Sequence, residues 1–237
     1  GIHGRFSGLM DGQHRTPLPR DEESTRRFRD FAAEHAVTSA AVILEPLVQG
    51  AGGMIFHDVE TLKTVRETCD QLGLLLILDE IMTGLGRLGT LFACEQADVA
   101  PDIMTLSKSL TGGTMPLAAT LASGRVFEGF LSDELDKALM HGPTFTGNAL
   151  ASAAANASLD LFETEPRLEQ VKAIEAHLAR TLEPCREMTG RWGDVKDVRV
   201  RGAIGVVEMK AIQDMDGLRA RFVEEGCRIR PFGNIVY

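Results

Sequence analysis

Leu74-Leu75-Leu76-Ile77-Leu78-Asp79-Glu80 decides the fold: five consecutive branched apolar residues running into two carboxylates. A strand apolar at every position, not at alternate ones, is the kind expected where helices cover both faces of a parallel sheet. Upstream, Asp58 supplies an N-cap, Leu62, Val65, Cys69 and Leu72 fall on one helical face, and Gly73 ends the helix before the strand begins. The same helix-then-strand unit precedes it: Asp21 caps a helix carrying Phe28, Phe31, Ala32 and His35, and residues 40–44 read as a buried strand.

Residues 103–106 and 117–121 are further predicted strands, and 147–162 and 167–182 predicted helices, the first so rich in alanine that tight packing is expected. After Trp192 the texture changes to a strand pattern over 198–208, a helix around 218–225 and a strand at 228–230. The fold class is therefore α/β, a mostly parallel sheet with a small α+β unit appended. Residues 1–165 form part of the large domain, and 166–237 a linker helix and part of the small one.

Composition narrows the function. The 237 residues carry 25 basic and 34 acidic side chains, net −9, with the basic residues scattered, so a nucleic-acid or anionic-membrane surface is not expected. No apolar run reaches about 18 residues and no basic-then-apolar leader is present, so neither a membrane span nor a secretory signal is predicted. Cys69, Cys94, Cys185 and Cys227 are far apart and form no CxxC, which reads as reduced buried thiols in a cytoplasmic protein with no metal site.

In an open α/β sheet ligands lie beyond the carboxyl ends of the strands, which singles out Asp79 and, after the strand at 103–106, Lys108. Asp79 suits an N–H donor such as a protonated pyridine nitrogen, and equally a cap for the turn containing Thr83, Gly84 and Gly86. Lys108 lies in Ser107-Lys108-Ser109-Leu110-Thr111-Gly112-Gly113, where a buried cation is unfavourable without a partner. Bonding covalently to a carbonyl relieves part of that penalty, and so does snorkelling to solvent. His141-Gly142-Pro143-Thr144-Phe145-Thr146-Gly147-Asn148 precedes a helix and fits either a phosphate site or an N-cap cluster. Arg230, in Arg228-Ile229-Arg230-Pro231-Phe232-Gly233, fits a substrate carboxylate or a surface ion pair.

Taken in order, Leu44-Glu45-Pro46, Leu78-Asp79-Glu80-Ile81-Met82-Thr83-Gly84-Leu85-Gly86-Arg87, the Lys108 segment and the His141 segment resemble the class III, fold-type I aminotransferases, which use pyridoxal 5'-phosphate. The resemblance implies that Lys108 binds the cofactor covalently and carries the proton, and that Asp79 partners its pyridine nitrogen. It further implies that Ile81 packs on one cofactor face and that Pro143 and Thr144 contact the phosphate across a homodimer interface. Gly142 and Arg230 would touch substrate. Gln49-Gly50-Ala51-Gly52-Gly53-Met54 and Ile229-Arg230-Pro231-Phe232-Gly233 resemble the branch in which S-adenosylmethionine donates the amino group to 8-amino-7-oxononanoate, with lysine as an alternative donor. The branches using ornithine, acetylornithine or 4-aminobutyrate are the alternative, and a non-catalytic fragment that keeps the fold is another. Family members carry a long further segment before Gly1, so a partial chain of weak or no activity is expected.

Overall fold

The helix-strand units can be followed along the chain in a computed structural model that describes residues 13–229 and 231–237. Helix α1 (Glu22–His35) begins at Asp21, whose carboxylate accepts from the Ser24 N–H at 2.7 Å while Ser24 answers the Asp21 N–H, a reciprocal capping box. Strand β1 (Ala41–Leu44) follows, then the short pair β2 (Val48–Gln49) and β3 (Ile55–Phe56). Helix α2 (Val59–Leu72) opens on the Asp58 cap and closes on Gly73 at φ 70°, a left-handed position that glycine takes without strain.

Strands β4 (Leu75–Asp79), β5 (Ile103–Leu106) and β6 (Ala119–Ala122) complete a four-stranded sheet in the order β1-β4-β5-β6. The first three run parallel and β6 antiparallel. Beneath one face, Phe28 of α1 and Leu62, Val65 and Cys69 of α2 pack with Leu76, Leu78, Met104 and Leu106 in one buried cluster. Each fully buried leucine there contributes roughly 1.5–3 kcal/mol.

The chain continues through α3 (Gly124–Glu128), α4 (Ala149–Thr164) and α5 (Arg167–Leu182) into the hairpin β7 (Val195–Arg201) and β8 (Ile204–Met209), then α6 (Met215–Glu224) and β9 (Ile235–Val236). Strands β7-β8-β9 form a separate antiparallel sheet, and Leu178 and Leu182 of α5 lie close over Gly205 of β8. The small sheet packs on the β2–β3 segment and on the loop after β4, in a core where Leu47, Val48, Met54, Leu88 and Ala93 meet Ile204, Val206 and Ile235. The β7–β8 turn seats directly on the main chain of residues 87–88: Ala203 N–H donates to Arg87 O at 2.9 Å, and a Cβ on Gly202 would overlap that oxygen and stand 2.6 Å from Leu88 Cα.

Four expectations change. Strand β1 is an edge, so Ile43 is 61% exposed instead of buried. Helix α4 buries only Ala151 and Ala155, and its remaining face is open. Residues 227–229 form no strand; β9, further on, takes the place beside β8. Cys227 is exposed, whereas Cys69 and Cys94 are buried, their thiols pushed up by burial to about 11 and about 12. Among the described residues no helix is long and apolar enough to cross a membrane.

Gly202 has φ 55°, so a side chain there meets both backbone strain and the Arg87–Leu88 main chain. Gly202→Ala is expected to lower stability by about 3 kcal/mol in urea unfolding; a change within about 0.5 kcal/mol, the range of a neutral surface substitution, would show that the turn is not seated as described.

Candidate active site at the carboxyl ends of the parallel strands

Parallel pairing in this register brings three functional groups to one edge of the sheet. Leu44 pairs with Leu78, so Glu45 and Asp79 emerge beside one another; Asp79 pairs with Thr105, and Lys108 follows three residues later. Asp79 Oδ1 accepts from the Ile81 N–H at 3.0 Å and from the Thr105 hydroxyl at 3.4 Å. Oδ2 has no hydrogen-bond donor among the described residues, which leaves a fixed carboxylate with one acceptor to offer. This is what a protonated ring nitrogen requires.

Lys108 opens a 3₁₀ turn (Lys108–Thr111) with φ 34°, in the left-handed region that residues with a side chain rarely occupy. Strain of this kind persists only where surrounding bonds enforce it. Here Ser107 Oγ donates to Leu117 O at 2.7 Å, Thr111 Oγ1 donates to Met115 O at 2.6 Å, and Arg87 Nη2 donates to Ser109 Oγ at 3.1 Å. Lys108 is an exposed residue, not buried as the small-residue context suggests. Helix α4 supports the turn from beyond, where the Ser158 hydroxyl donates to Ser109 O at 3.3 Å.

The two adjacent carboxylates divide their work. Glu80, 1% exposed, accepts from the Thr83 hydroxyl at 2.9 Å and from the N–H groups of Ala93 at 3.0 Å and Cys94 at 2.9 Å, closing the loop after β4 onto the start of a 3₁₀ helix (Ala93–Ala97). Burial is the largest influence and raises its carboxyl above the ordinary range, while the three donors pull it back. Glu80 is thus a structural group, and Asp79 is the one that faces the site.

Glu45 is the site group to which the sequence reading gave no role. Its Oε2 accepts from Gly50 N–H at 2.9 Å. Burial chiefly raises its carboxyl, the Gly50 donor opposes that, the Asp79 charge adds to it and the Lys108 charge counters it. The signal available was positional: Glu45 ends the strand next to the one ended by Asp79. Behind it lies His57, buried, with Nε2 3.2 Å from Glu45 O and Nδ1 3.3 Å from Asp58 O.

Ile81 follows Asp79 directly and is half-buried. Gly142, Pro143 and Thr144 lie in an exposed loop with no hydrogen bond to Asp79 or Lys108 among the described residues; within the loop the Thr146 N–H donates to Pro143 O at 2.9 Å. Arg230 lies outside the described residues.

Comparison with known proteins bears on the family and the fold. The family model described as aminotransferase class-III matches residues 3–237. An adenosylmethionine-8-amino-7-oxononanoate aminotransferase from Corynebacterium glutamicum is 41% identical over 242 residues, covering 100% of this chain and 56% of the relative. The enzyme of that name from Mycobacterium leprae is also 41% identical, covering 100% and 54%. Among solved structures, the enzyme of that name from Methanocaldococcus jannaschii superposes with TM-score 0.87 at 33% identity, covering 99% of this chain and 56% of that one. The ornithine aminotransferase of Toxoplasma gondii, described with partial occupancy of PLP at its active site, gives TM-score 0.82 at 28% identity, covering 99% and 53%. The chain spans about half the length of the curated relatives it matches.

Burial lowers the His57 pKa from 6.5; the carbonyls of Glu45 and Asp58 oppose this and the Arg201 charge adds to it. The unfolded chain therefore takes up a proton near pH 6.5 that the folded chain refuses, and stability falls as pH drops below that value. In denaturant titrations, wild type is expected to lose up to about 1.4 kcal/mol per pH unit relative to His57→Gln between pH 6.5 and 5. Parallel pH profiles for the two proteins would contradict this.

Proposed function

The chain belongs to the class III aminotransferase family, and from that premise we propose that it carries the cofactor-binding half of a pyridoxal-phosphate active site that transfers an amino group from S-adenosylmethionine to 8-amino-7-oxononanoate, giving 7,8-diaminononanoate. The observation that supports this most strongly is the placement of Asp79 and Lys108 at the carboxyl ends of neighbouring parallel strands, with Lys108 held at a strained φ. When bound, the cofactor supplies an electron sink to the substrate carbon.

In this reading Lys108 Nζ binds the cofactor covalently and moves the proton at the substrate carbon. Asp79 would hold the cofactor through its pyridine nitrogen, and Ile81 would pack on one face of the ring. Gly142 and Arg230 contact substrate, the Arg230 guanidinium donating to the substrate's carboxylate. Pro143 and Thr144, both exposed, serve the phosphate of a second copy's site. Homodimerisation is further supported by the apolar side chains left open around them: Leu135 is 75%, Met140 74% and Phe145 80% exposed, and a surface of this kind is characteristic of an interface. Residues 1–165 then belong to the large domain, 166–237 to the linker helix and small domain, and the enzyme is cytoplasmic.

The likeness to an ornithine aminotransferase supports a second reading, in which ornithine, acetylornithine or 4-aminobutyrate is the donor. A donor screen with 8-amino-7-oxononanoate as acceptor separates the two. In a full-length protein that contains this chain, product is expected with S-adenosylmethionine, and Lys108→Ala is expected to reduce the rate by at least about a hundredfold. Turnover with ornithine but not S-adenosylmethionine would replace the first reading by the second, and turnover undiminished in Lys108→Ala would defeat both.

A further inference from the structure

Strand β7 presents two arginines on one face, Arg199 and Arg201, and both reach across to the β2–β3 segment that follows β1, Arg199 to the β2–β3 turn and Arg201 to the residue after β3. Arg199 Nε donates to Met54 O at 2.8 Å and Nη2 to Gly53 O at 3.2 Å, and its charge is met by Glu208 at 2.7 Å and Asp197 at 2.9 Å. Arg201 is placed differently. Its Nη1 donates to His57 O at 2.8 Å and its Nη2 to Gln96 Oε1 at 3.0 Å, both neutral acceptors. No carboxylate among the described residues forms an ion pair with it.

Glu175 and Asp58 act on the Arg201 charge from beyond ion-pair distance, and a half-buried guanidinium held mainly by neutral acceptors gains little over an apolar side chain of similar size, so stability alone gives little reason for an arginine here. Its bonds have a specific consequence. They fix the main chain of His57, whose ring stands against Glu45 O, and Glu45 O also accepts from Gln49 Nε2 at 2.5 Å. With Gly50 N–H on Oε2, the Glu45 carboxylate is held by a turn that the small sheet braces from behind. The turn has little slack: a Cβ on Gly50 would stand 2.6 Å from Met82 Sδ and 3.1 Å from Glu45 Oε1.

We propose that His57 and Arg201 are positioning residues, which clamp the turn after β1 and so hold the Glu45 carboxylate beside Asp79 and Lys108 while the β7–β8 hairpin is docked. The clamp makes the geometry of the large-sheet edge depend on the small sheet, through the path Arg201, His57, Glu45. Its catalytic significance rests on the function proposed above, whereas its test does not require the cofactor.

The test is a ¹³C NMR titration of the Glu45 carboxyl, assigned with Glu45→Gln, in wild type and in four variants. Arg201→Met and His57→Phe remove the donors and are expected to loosen the turn, lessen the burial that chiefly raises the Glu45 carboxyl, and let its midpoint fall from the wild-type value toward the ordinary 4.5. Arg201→Lys and His57→Gln keep a donor and are expected to retain most of the wild-type midpoint. The inference is overturned if Glu45 titrates as in wild type in a folded Arg201→Met chain, or if the conservative variants behave like the disruptive ones. Should Arg201→Met fail to fold, the His57→Phe and His57→Gln pair gives the same comparison. Failure to modify Lys108 with the cofactor, alongside the expected Glu45 shifts, would defeat the functional reading and leave the clamp standing.

Discussion

Parallel hydrogen bonding between β1, β4 and β5 is the constraint on which the rest depends, because the register that buries Leu44, Leu76, Leu78 and Met104 over α1 and α2 also sets which polar residues leave the sheet together. A slip of one residue in β4 would carry Leu76 and Leu78 out of the core and turn Asp79 into it. The energy that fixes the site is therefore mostly hydrophobic burial on the far side of the sheet. The polar groups at its edge add direction to a placement already made.

The divergence of Asp79 and Glu80 follows from the same geometry. Strand alternation leaves Asp79 half-buried with one oxygen uncommitted, while the next residue turns inward and spends both oxygens on Thr83, Ala93 and Cys94. Glu80 holds the 80–94 loop closed, and that loop carries Arg87, which reaches Ser109 with its side chain and the β7–β8 turn with its carbonyl. One carboxylate thus organises the loop joining the Lys108 turn to the small sheet, and its neighbour is left free for chemistry.

Much of this was legible in the residue pattern. The caps at Asp21 and Asp58, the stop at Gly73 and strand β5 appear where composition and period place them, because each is decided by local chemistry. The placement of Asp79 and Lys108 at and just after strand ends was legible because the strands themselves were, and strand ends are where such folds bind ligands. What could not be read locally depends on neighbours. The exposure of Ile43 follows from β1 lying at a sheet edge, and the open face of α4 from what does not cover it here, neither of which an apolar run encodes. Glu45 was missed as a site group because its importance comes from pairing with β4, and the Arg201–His57 link joins residues 144 positions apart.

The central claim is that this edge of the sheet, with Lys108 as its reactive amine, receives pyridoxal phosphate. The most direct measurement is borohydride reduction of the protein after addition of pyridoxal phosphate, followed by peptide mass mapping. The account predicts a phosphopyridoxyl group on Lys108 as the dominant modification, strongly reduced in Asp79→Ala. Modification spread over surface lysines with Lys108 not enriched would contradict it.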